Sequence, residues 1–541
     1  MVFIMPRRRE VFKSLSAAEF FYRNREIAGF SNPSRALYQT VRELVENALD
    51  ACDSHEILPS IYIRIKEEDP EKSHYRVTVS DNGIGIPPQY VPYAFGRVLF
   101  GSKYRLRQTR GMFGLGAKMA ILYGQLTTGK PVEVETSPLG SRYKYYFKIL
   151  VDIKKNEPII VDQRIRRLKR KSHGTTVSVV LEGDWARAKN KIYEYIKRTA
   201  IAAPYANITF VPPEGDRVIT YTRTITKMPL PPKEVKPHPH GVDVEMLKML
   251  LASIEAKTLK EFLVEAFQGV GEISAEKFLR EAGINPNMSP KLLTNEGIKT
   301  LMIKLKNYKG FKPPRADALS PLGKEIIEAG LKSVLQPDFV TAITRRPSAY
   351  SGHPFIVEVG IAYGGNIRFK DEPQLYRFAN KIPLLYDEKA DVSWKIVSSE
   401  IDWKSYNVEF PAPLVVLVHI CSTKVPYKGV GKESIADVPE IEREIKNAIR
   451  EAARKLRLYL SRKKREEEAK RKVLTFLKYI PEIAESLALL SKPPVATANG
   501  NGKYLSTNEL KKMLLSLVTS KLEKSGIKLD FDLNKFNIRI E

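Results

Sequence analysis

The sequence predicts an α+β fold divided into several domains. Single hydrophobic cores stop growing at roughly 250–300 residues, so a chain of 541 residues should form about three or four domains. Helix-like and strand-like patterns alternate through the first 228 residues, which is typical of a mixed sheet covered by helices. Helix-like segments follow alone, and then strands with a long amphipathic helix. We therefore expect a layered α/β domain, a small helical module and a second α/β domain that ends in a long helix.

The first predicted domain, residues 1–228, opens with a helical pattern from Ser14 to about Ala51. Ser16 and Glu19 have the spacing of a capping box. Apolar residues recur every three or four positions at Leu37, Val41, Leu44, Val45 and Leu49. Strands are expected at 61–65 and 75–80, a short helix at 115–124, and further strands at 131–136, 142–153 and 175–181.

A proline-rich stretch, residues 227–241, predicts a linker to the second domain. That domain, residues 229–310, should be a small module made only of helices. Its helices are expected near 244–254, 258–266, 274–282 and 289–306.

The third predicted domain, residues 311–470, mixes strands and helices. Strands are expected at 354–362 and 412–421, and helix-like segments lie near 373–380 and 435–460. One apolar face of the last helix is marked by Ile441, Ile445, Ala448, Ile449, Ala452, Leu456 and Leu460. Pro481 should kink or end this helix. In the last segment, residues 471–541, we expect a flexible linker at 491–503, a helix at about 507–524 and a strand-like tail.

The charge balance favours a polyanionic partner. Lys and Arg number 89 and Asp and Glu number 62, a net charge of +27. Such an excess attracts nucleic acid through counterion release and long-range steering. The alternative is a generally basic solvated surface, suited to high temperature or high salt.

Cysteine usage and the hydropathy pattern indicate the compartment. Cys52 and Cys421 are the only cysteines, too few for a disulfide framework or a cysteine-based zinc site. The N-terminus lacks the apolar core of a secretory signal, and no segment approaches the ~20 apolar residues of a membrane span. We expect a soluble cytoplasmic protein with no membrane partner.

The first of four local patterns lies on the predicted helix at residues 43–51. Glu43, Asn47 and Asp50 are spaced i, i+4 and i+7, so they share one helix face. An amide oxygen can ligate Mg²⁺ while a carboxylate polarises water, as metal-assisted phosphoanhydride hydrolysis requires. A solvated charged face is the competing interpretation.

The second pattern, DNGIGI at 81–86, puts Asp81 at the end of a strand, followed by Gly83 and Gly85. A carboxylate there can accept a hydrogen bond from an exocyclic amine, and the glycines allow a ring to approach the backbone. An ordinary turn explains the pattern equally well.

The third pattern, RGMFGLGAKMA at 110–120, places glycines before a helix. Free amides at a helix start bind phosphate. It is not a Walker A loop, because Ala117 and Met119 occupy the positions of its Lys and its Ser or Thr. Its glycine spacing is also the reverse of the dinucleotide-binding fingerprint.

The fourth pattern, SHGTTV at 172–177, leads into an alternating strand. The hydroxyl and amide of Thr175 could contact a nucleotide or a neighbouring loop. A turn before a strand is the simpler interpretation.

Together and in this order, the four patterns resemble the GHKL superfamily of ATPases, which includes gyrase-type topoisomerases, MutL mismatch-repair proteins, histidine kinases and a heat-shock chaperone class. The resemblance implies a left-handed α/β sandwich with ATP and Mg²⁺ as its ligands. It implies that Glu43 is the general base, Asn47 the Mg²⁺ ligand and Asp81 the acceptor for the adenine amine.

The same resemblance implies a base pocket shaped by glycines and a lid, residues 111–118, over the phosphates. The implied nucleotide contacts are Asn47, Asp81, Gly83, Gly85, Ser102, Lys103, Gly111, Met112, Phe113, Gly114, Leu115, Gly116, Ala117, Lys118, Thr175 and Lys432.

Longer stretches resemble the B subunits of type IIB DNA topoisomerases (topoisomerase VI). Residues 20–51 and 95–120 are similar to parts of that family's ATPase domain, and residues 377–387 and 422–436 to its transducer domain. The resemblance implies a GHKL ATPase domain with an N-terminal arm at 1–228, a helix-two-turns-helix module at 229–310, an α/β transducer domain with a long stalk helix at 311–470, and a segment at 471–541 that engages the A subunit.

In relatives of this family, a lysine on a transducer loop senses the γ-phosphate. The matching residue is Lys432, which the resemblance adds to Glu43 as a catalytic residue, and Lys424 is the alternative.

The resemblance implies an ATP-dependent type II DNA topoisomerase, with this chain as the ATP-hydrolysing subunit. ATP-driven dimerisation would close a DNA gate and couple to double-strand passage by the DNA-cleaving A subunit, relaxing supercoils and decatenating DNA. The implied partners are double-stranded DNA, a second copy of this chain, and the A subunit in a heterotetramer of two A and two B subunits.

Two other functions fit part of the sequence pattern. A MutL-like mismatch-repair clamp also dimerises on ATP, but it lacks a helical insert such as residues 229–308. A DNA-binding scaffold with a degenerate nucleotide site is opposed by the presence of Glu43, Asn47 and Asp81.

Overall fold

The computed structural model describes residues 14–101, 106–110, 115–215, 217–429, 432–491 and 505–524. The chain forms two compact units: residues 1–402 with 409–453, and residues 403–408 with 454–541. The predicted domain boundaries at residues 228, 310 and 470 stay a prediction. Within the described ranges, no helix is long and apolar enough to span a membrane.

An eight-stranded mixed sheet forms the first part of the larger unit. Its strands are β1 (Ser60–Asp69), β2 (His74–Ser80), β3 (Val132–Ser137), β4 (Tyr143–Asp152), β5 (Glu157–Arg167), β6 (Gly174–Glu182), β7 (Asn207–Val211) and β8 (Ile219–Tyr221). They lie in the order β5-β4-β3-β6-β2-β1-β7-β8, and only the β1–β7 neighbours are parallel. In β1, Ile61, Ile63 and Ile65 are buried and alternate with exposed residues, so the strand presents one apolar face.

Helices cover that apolar face. They are α1 (Ala17–Arg23), α2 (Pro33–Asp53), α3 (Val91–Gly96), α4 (Gly116–Thr128) and α5 (Trp185–Ala202). Helices α2 and α4 pack on β2 and β6, and α5 packs on α2. The mixed α+β class and the sheet-and-helix layers confirm the predicted fold class.

The predicted helix from Ser14 to Ala51 is wrong as a single element. Gly29, with a φ of +87°, ends a short 3-10 turn after α1, and α2 starts afresh. The side chain of Asn32 accepts a hydrogen bond from the backbone N–H of Arg35 at 2.9 Å, and Pro33 occupies the first helical position. Both features are strong helix-start signals. The predicted cap of α1 is present, since the Ser16 hydroxyl accepts from the N–H of Glu19.

A four-helix module follows, with a core of its own. It consists of α6 (Val244–Ser253), α7 (Leu259–Ala266), α8 (Glu272–Glu281) and α9 (Asn295–Asn307). Fully buried Phe262, Leu263, Leu279 and Leu301 lie at its centre. Each helix buries one face, as the sequence pattern predicts.

A six-stranded sheet forms the second α/β part of the larger unit. Its strands are β9 (Phe339–Thr344), β10 (Ser348–Tyr350), β11 (His353–Tyr363), β12 (Gln374–Ala379), β13 (Ile382–Leu384) and β14 (Leu414–Ser422). The order is β10-β11-β14-β12-β13, with β9 also paired to β11. Strand β12 corrects the expectation of a helix at 373–380. Five of its six residues are buried, and a strand buried on both faces has no two-residue alternation to identify it.

The two sheets share one continuous hydrophobic core, joined where α10 (Lys324–Leu335) packs on α5. The backbones come very close at this crossing. A Cβ added at Gly330 would lie 1.9 Å from the carbonyl oxygen of Ile201. Glycine at this position therefore sets the distance between the two helices.

The remaining helices are α11 (Val392–Lys395), α12 (Pro439–Leu490) and α13 (Thr507–Lys524). Helix α12 runs through Pro481, so of the two expected effects the ending of the helix is wrong, and the kink stays a prediction. Proline removes one backbone hydrogen bond, and buried Leu477, Ile480 and Ala484 around it supply packing that keeps the helix continuous. The predicted strand-like tail lies outside the described residues.

Gly330→Ala should destabilise the larger unit, because the added methyl group meets backbone that cannot turn aside. Overpacking of this kind costs about 1–3 kcal/mol, which exceeds the gain in helix propensity of up to about 1 kcal/mol from replacing glycine. Differential scanning calorimetry should show a lower midpoint temperature for the first unfolding transition. Lys332→Ala, on the exposed side of the same helix, is the control and should leave that transition unchanged. Equal transitions for the two variants would contradict the close contact.

Candidate active site

A cavity of about 730 Å³ lies at the C-terminal half of α2, on the side of the first sheet where β2 ends. Two of the predicted site residues, Asn47 and Gly85, line it. Its other lining residues are Asp50, Ala51, Asp53, Ser54, His55, Ile84, Ile86, Gly101, Arg107, Gln108, Thr109, Arg110, Pro232, Glu234, Asn380 and Lys381. Walls therefore come from the first α/β part, from the proline-rich segment and from the second sheet.

Glu43 lies against the start of helix α4. A Cβ added at Gly116, the first residue of α4, would lie 1.8 Å from Cδ of Glu43. The amide of Gln39, one turn earlier on α2, donates to Oε1 of Glu43 at 3.1 Å. The carboxylate is thus oriented by its own helix and directed at the N-terminal end of another, where backbone amides favour anions. Only glycine at position 116 leaves room for this arrangement.

Asp81 follows β2 directly and is held by two backbone amides. Its Oδ1 accepts from Gly83 N at 2.8 Å and from Thr175 N at 3.2 Å. Burial raises the pKa of Asp81 to about 6, although both hydrogen bonds act to lower it. The structure thus brings Thr175 to Asp81, where the backbone N–H of Thr175, and not its hydroxyl, orients the carboxylate of Asp81.

The glycines near Asp81 have protein neighbours. Gly85 has a φ of +71°, and a Cβ there would lie 2.1 Å from the carbonyl oxygen of Ser137. A Cβ at Gly83 would lie 2.8 Å from Cβ of Ala51. Both positions therefore exclude side chains because of the surrounding fold, a reason that the sequence pattern did not reveal. Gly85 also lines the cavity, as expected for a pocket wall.

The predicted lid is described only in part. Ser102, Lys103, Gly111, Met112, Phe113 and Gly114 lie outside the described residues. Leu115, Gly116 and Ala117 lie at the start of α4. Lys118 is 4% exposed, donates from Nζ to the carbonyl of Phe100, and burial lowers its pKa to about 8.

Sequence reasoning missed a buried ion-pair cluster on a neighbouring face of α2. Nε of Arg42 lies 2.8 Å from Oε1 of Glu46, and Nη1 lies 2.9 Å from Oε1 of Glu433. All three side chains are at most 5% exposed. The opposite charges at positions 42 and 46 are a local signal, but Glu433 is 391 positions away and no pattern connects it to Arg42.

Glu433 is held a second time by the second sheet. Nη1 of Arg377, on β12, donates to the backbone carbonyl of Glu433 at 3.0 Å and to Oδ2 of Asp391 at 3.2 Å. The same Asp391 oxygen accepts from the N–H of Ile435. Residues 433–435 are therefore fixed between α2 and the second sheet.

Lys432 immediately precedes this fixed segment. Its φ is +54°, its N–H donates to the carbonyl of Gly429, and its positive charge acts on the carboxylate of Glu46. Burial raises the pKa of Glu46, with Arg42 and Lys432 opposing the shift. Lys424, the alternative, is exposed, and its charge acts on His353 instead. The charge of Lys432 thus acts on a carboxylate of α2, whereas that of Lys424 acts on a histidine of the second sheet.

Comparison with known proteins identifies the family. Residues 32–182 match the family model of the histidine kinase-, DNA gyrase B- and HSP90-like ATPase, and residues 314–472 match that of the topoisomerase VI B subunit, transducer. The B subunit of type 2 DNA topoisomerase 6 from Metallosphaera sedula is 57% identical over 483 residues, 89% of this chain and 91% of the relative. This chain belongs to the family of type 2 DNA topoisomerase 6 B subunits.

A second member of this B-subunit family, from Saccharolobus islandicus, is 54% identical over 523 residues, 96% of this chain and 97% of the relative. The solved ATPase region of Saccharomyces cerevisiae topoisomerase II aligns with 83% of this chain and 98% of its own length, at 14% identity and a TM-score of 0.38. A TM-score this low supports no conclusion. The close relatives and the two matched family models identify the family and its ATPase domain.

For this member of the topoisomerase 6 B-subunit family, we predict that nucleotide affinity weakens in acid because of Asp81. The carboxylate form accepts hydrogen bonds from an amine, and with a pKa of about 6 it is lost as the pH falls through that value. Between pH 7 and pH 5 this protonation should cost about tenfold in affinity. Isothermal titration calorimetry with ADP measures it.

Asp81→Asn is the reference, since its side chain cannot titrate. Protonation of the nucleotide phosphates lowers the affinity of both proteins equally, so the difference between their pH profiles reports Asp81 alone. The wild-type affinity should fall about tenfold more than that of the variant over this interval. Parallel pH profiles would show that Asp81 does not bind the base.

Glu433→Gln should lower ATP turnover in this family member by about tenfold, because it removes one of the two carboxylates that pair with buried Arg42 and weakens docking by about 1–3 kcal/mol. The loop that carries Lys432 would then leave helix α2. Asp437→Asn is the matched control, since Asp437 is an exposed residue of the same loop and pairs with Lys428 at 2.9 Å. Exposed pairs contribute about 0–1 kcal/mol. Equal turnover in the two variants would contradict the role of Glu433.

Proposed function

We propose that this chain is the ATP-binding and ATP-hydrolysing B subunit of a topoisomerase VI, whose ATP-driven dimerisation closes a DNA gate and couples to strand passage by a DNA-cleaving A subunit. The observation that carries the proposal is the contact of Glu43 with the first residue of α4, beside a cavity that contains Asn47. A carboxylate, an amide and a helix N-terminus at one place are the groups that phosphoanhydride hydrolysis requires.

Glu43 is the proposed general base. Its carboxylate, oriented by Gln39, would take a proton from the water that attacks the γ-phosphorus, as the bond to the ADP oxygen breaks. The backbone amides at the start of α4 would face the phosphates, since helix N-termini favour anions. Asp81, fixed by the amides of Gly83 and Thr175, would accept the adenine amine.

Asn47 is the proposed ligand for Mg²⁺. It lies one helical turn after Glu43, lines the cavity, and its amide offers the oxygen that this hard cation prefers. When bound, Mg²⁺ would neutralise charge on the phosphates. The remaining proposed contacts are Gly83 and Gly85 at the base, and Ser102, Lys103, residues 111–118 and Lys432 at the phosphates.

Lys432 is the proposed sensor of the γ-phosphate. It belongs to a segment anchored on α2 through Glu433 and Arg42, and its charge already acts on a carboxylate of that helix. A lysine introduced from a second α/β part would complete the site only when the two parts are docked. Nucleotide state and docking would then be coupled.

The proposed partners follow from the family. The relatives are named as B subunits of a type 2 DNA topoisomerase, which supports an A subunit and double-stranded DNA as partners. We propose a heterotetramer of two A and two B subunits. The net charge of +27 supports the DNA partner. We propose residues 1–228 as the ATPase domain, 229–310 as the helix-two-turns-helix module, 311–470 as the transducer domain and 471–541 as the segment that meets the A subunit.

The extent of the similarity to the B subunits of topoisomerase 6 argues against the MutL-like alternative. The similarity to the B subunits of topoisomerase 6 extends over 96% of this chain and includes the helical module at residues 229–310. A scaffold with a degenerate site is opposed by the arrangement of Glu43, Gln39 and Gly116.

The test is analytical ultracentrifugation of the full chain with Mg²⁺ and a non-hydrolysable ATP analogue, together with ATP turnover. The wild-type chain should shift from monomer to dimer with the analogue. Glu43→Ala should still dimerise but should lose turnover by about 10²–10⁴-fold, the usual contribution of a general base. Lys432→Ala should lose turnover on the order of 10²-fold and dimerise weakly.

Lys428→Ala, in the same loop and on an exposed ion pair, is the control for Lys432 and should behave as the wild type does. Full turnover by Glu43→Ala would overturn the assignment of the base. A wild-type chain that binds the analogue without dimerising would overturn ATP-driven gating by this chain alone.

A further inference from the structure

The turn between β12 and β13 has an unusual composition for its shape. Ala379 pairs with Ile382 across the hairpin, so Asn380 and Lys381 are the two central residues of the turn. Their φ angles are +47° and +72°. A two-residue hairpin turn with both residues left-handed strongly prefers Asn-Gly. This chain has lysine in the place where glycine would be without strain.

Lys381 is also buried. It is 6% exposed, its Nζ donates to Oγ of Ser320 at 2.7 Å, and Nζ lies 3.8 Å from Oδ2 of Asp53. Burial lowers the pKa of Lys381, with Asp53 opposing the shift. Backbone strain and a buried ammonium group are both unfavourable, so the local fold gives no reason for a lysine here.

Asp53 connects Lys381 with the segment that leads into the predicted lid. The same Oδ2 of Asp53 accepts from Nη2 of Arg110 at 2.7 Å and from the hydroxyl of Tyr205 at 3.0 Å. Nη1 of Arg110 donates to Oδ1 of Asp50 at 2.9 Å. Arg110 directly precedes the glycine-rich residues 111–114, and Asp50 and Asp53 lie one and two turns after Asn47 on α2.

The neighbours of Arg110 are joined to the second α/β part as well. Gln108 exchanges two hydrogen bonds with the backbone of Ser320, at 2.7 and 3.1 Å. The carbonyl of Thr109 accepts from Nδ2 of Asn380 at 3.3 Å. Each of residues 108–110 is therefore hydrogen-bonded either to the turn itself or to Ser320 or Asp53, the two residues that Nζ of Lys381 approaches.

The turn is further bonded to the strand that leads to Lys432. Asn380 and Ser422, the last residue of β14, exchange two hydrogen bonds at 2.9 and 3.0 Å. Ten residues beyond Ser422 the chain reaches Lys432. The hydrogen bonds to Ser422 therefore hold the turn on the end of β14 and fix its position relative to the second sheet.

We propose that Lys381 is a positioning residue of the nucleotide site: its ammonium group, held in a strained turn, joins helix α2 and residues 108–110 to the second sheet and so fixes these walls of the cavity for nucleotide binding. The proposal rests on the proposed ATP site, because Asn380 and Lys381 line the same cavity as Asn47 and Gly85. Lys381 acts through Asp53 and Arg110 and is distinct from Lys432, which belongs to another loop.

The test compares Lys381→Gly, Lys381→Arg and Ser351→Gly in the full chain. Glycine removes the ammonium group and suits the left-handed turn, so the variant should fold. Arginine keeps the charge. Ser351 is a matched control, since it is an exposed left-handed residue with a φ of +44° in a turn of the same sheet, remote in sequence from all site residues.

Two readouts separate a positioning role from a structural one: the Kd for a fluorescent non-hydrolysable ATP analogue with Mg²⁺, and the KM and kcat of ATP turnover. Lys381→Gly should raise Kd and KM by about tenfold and change kcat by less than about threefold, because Glu43 and Lys432 remain. Lys381→Arg and Ser351→Gly should stay within about threefold of the wild type in all three values.

Unchanged Kd and KM in Lys381→Gly would overturn this inference alone. An equal loss in Lys381→Arg would also overturn it, because the charge would then be irrelevant. If the wild-type chain bound no analogue, the proposed function would fail together with this inference.

Discussion

The buried guanidinium of Arg42 is the constraint on which the relation between the two α/β parts depends. A buried charge without partners is very unfavourable, and Arg42 meets this requirement with Glu46 on its own helix and Glu433 from the second part. Undocking the loop of Glu433 would take one of its two carboxylate partners away from Arg42. Apolar packing of α5 on α10 brings the two parts together, whereas the ion pairs fix which loop lies on α2.

Helix α2 presents different chemistry on two sides. Arg42 and Glu46 face the docked loop, while Glu43 faces the start of α4 and Asn47 the cavity. Arg42 directly precedes Glu43 in the chain, so the docked loop contacts the helix one residue away from the proposed base. A rigid helix with 21 residues is well suited to connect them, because its side chains keep a fixed angular spacing.

Two lysines of the second part act on carboxylates of helix α2. Lys432 approaches through the loop fixed by Glu433, and Lys381 enters through a strained hairpin turn beside Asp53. The turn is bonded to the end of β14, from which that loop starts. If the cavity binds ATP as proposed, these short polar contacts would link nucleotide binding to docking, because buried polar groups are costly to leave unpaired.

The sequence by itself determined the local features: the face shared by Glu43, Asn47 and Asp50, the acidic residue at a strand end, the glycines before α4, and the strands and helices with clear periodicity. Each of these depends on spacing within a few residues, which the chain encodes directly. Only the tertiary structure decided that β12 is a strand, that Gly85 is excluded from carrying a side chain by Ser137, and that Arg42 pairs with Glu433. These outcomes depend on burial and on partners hundreds of residues apart, and a sequence pattern carries no record of which distant charge will share a desolvated site.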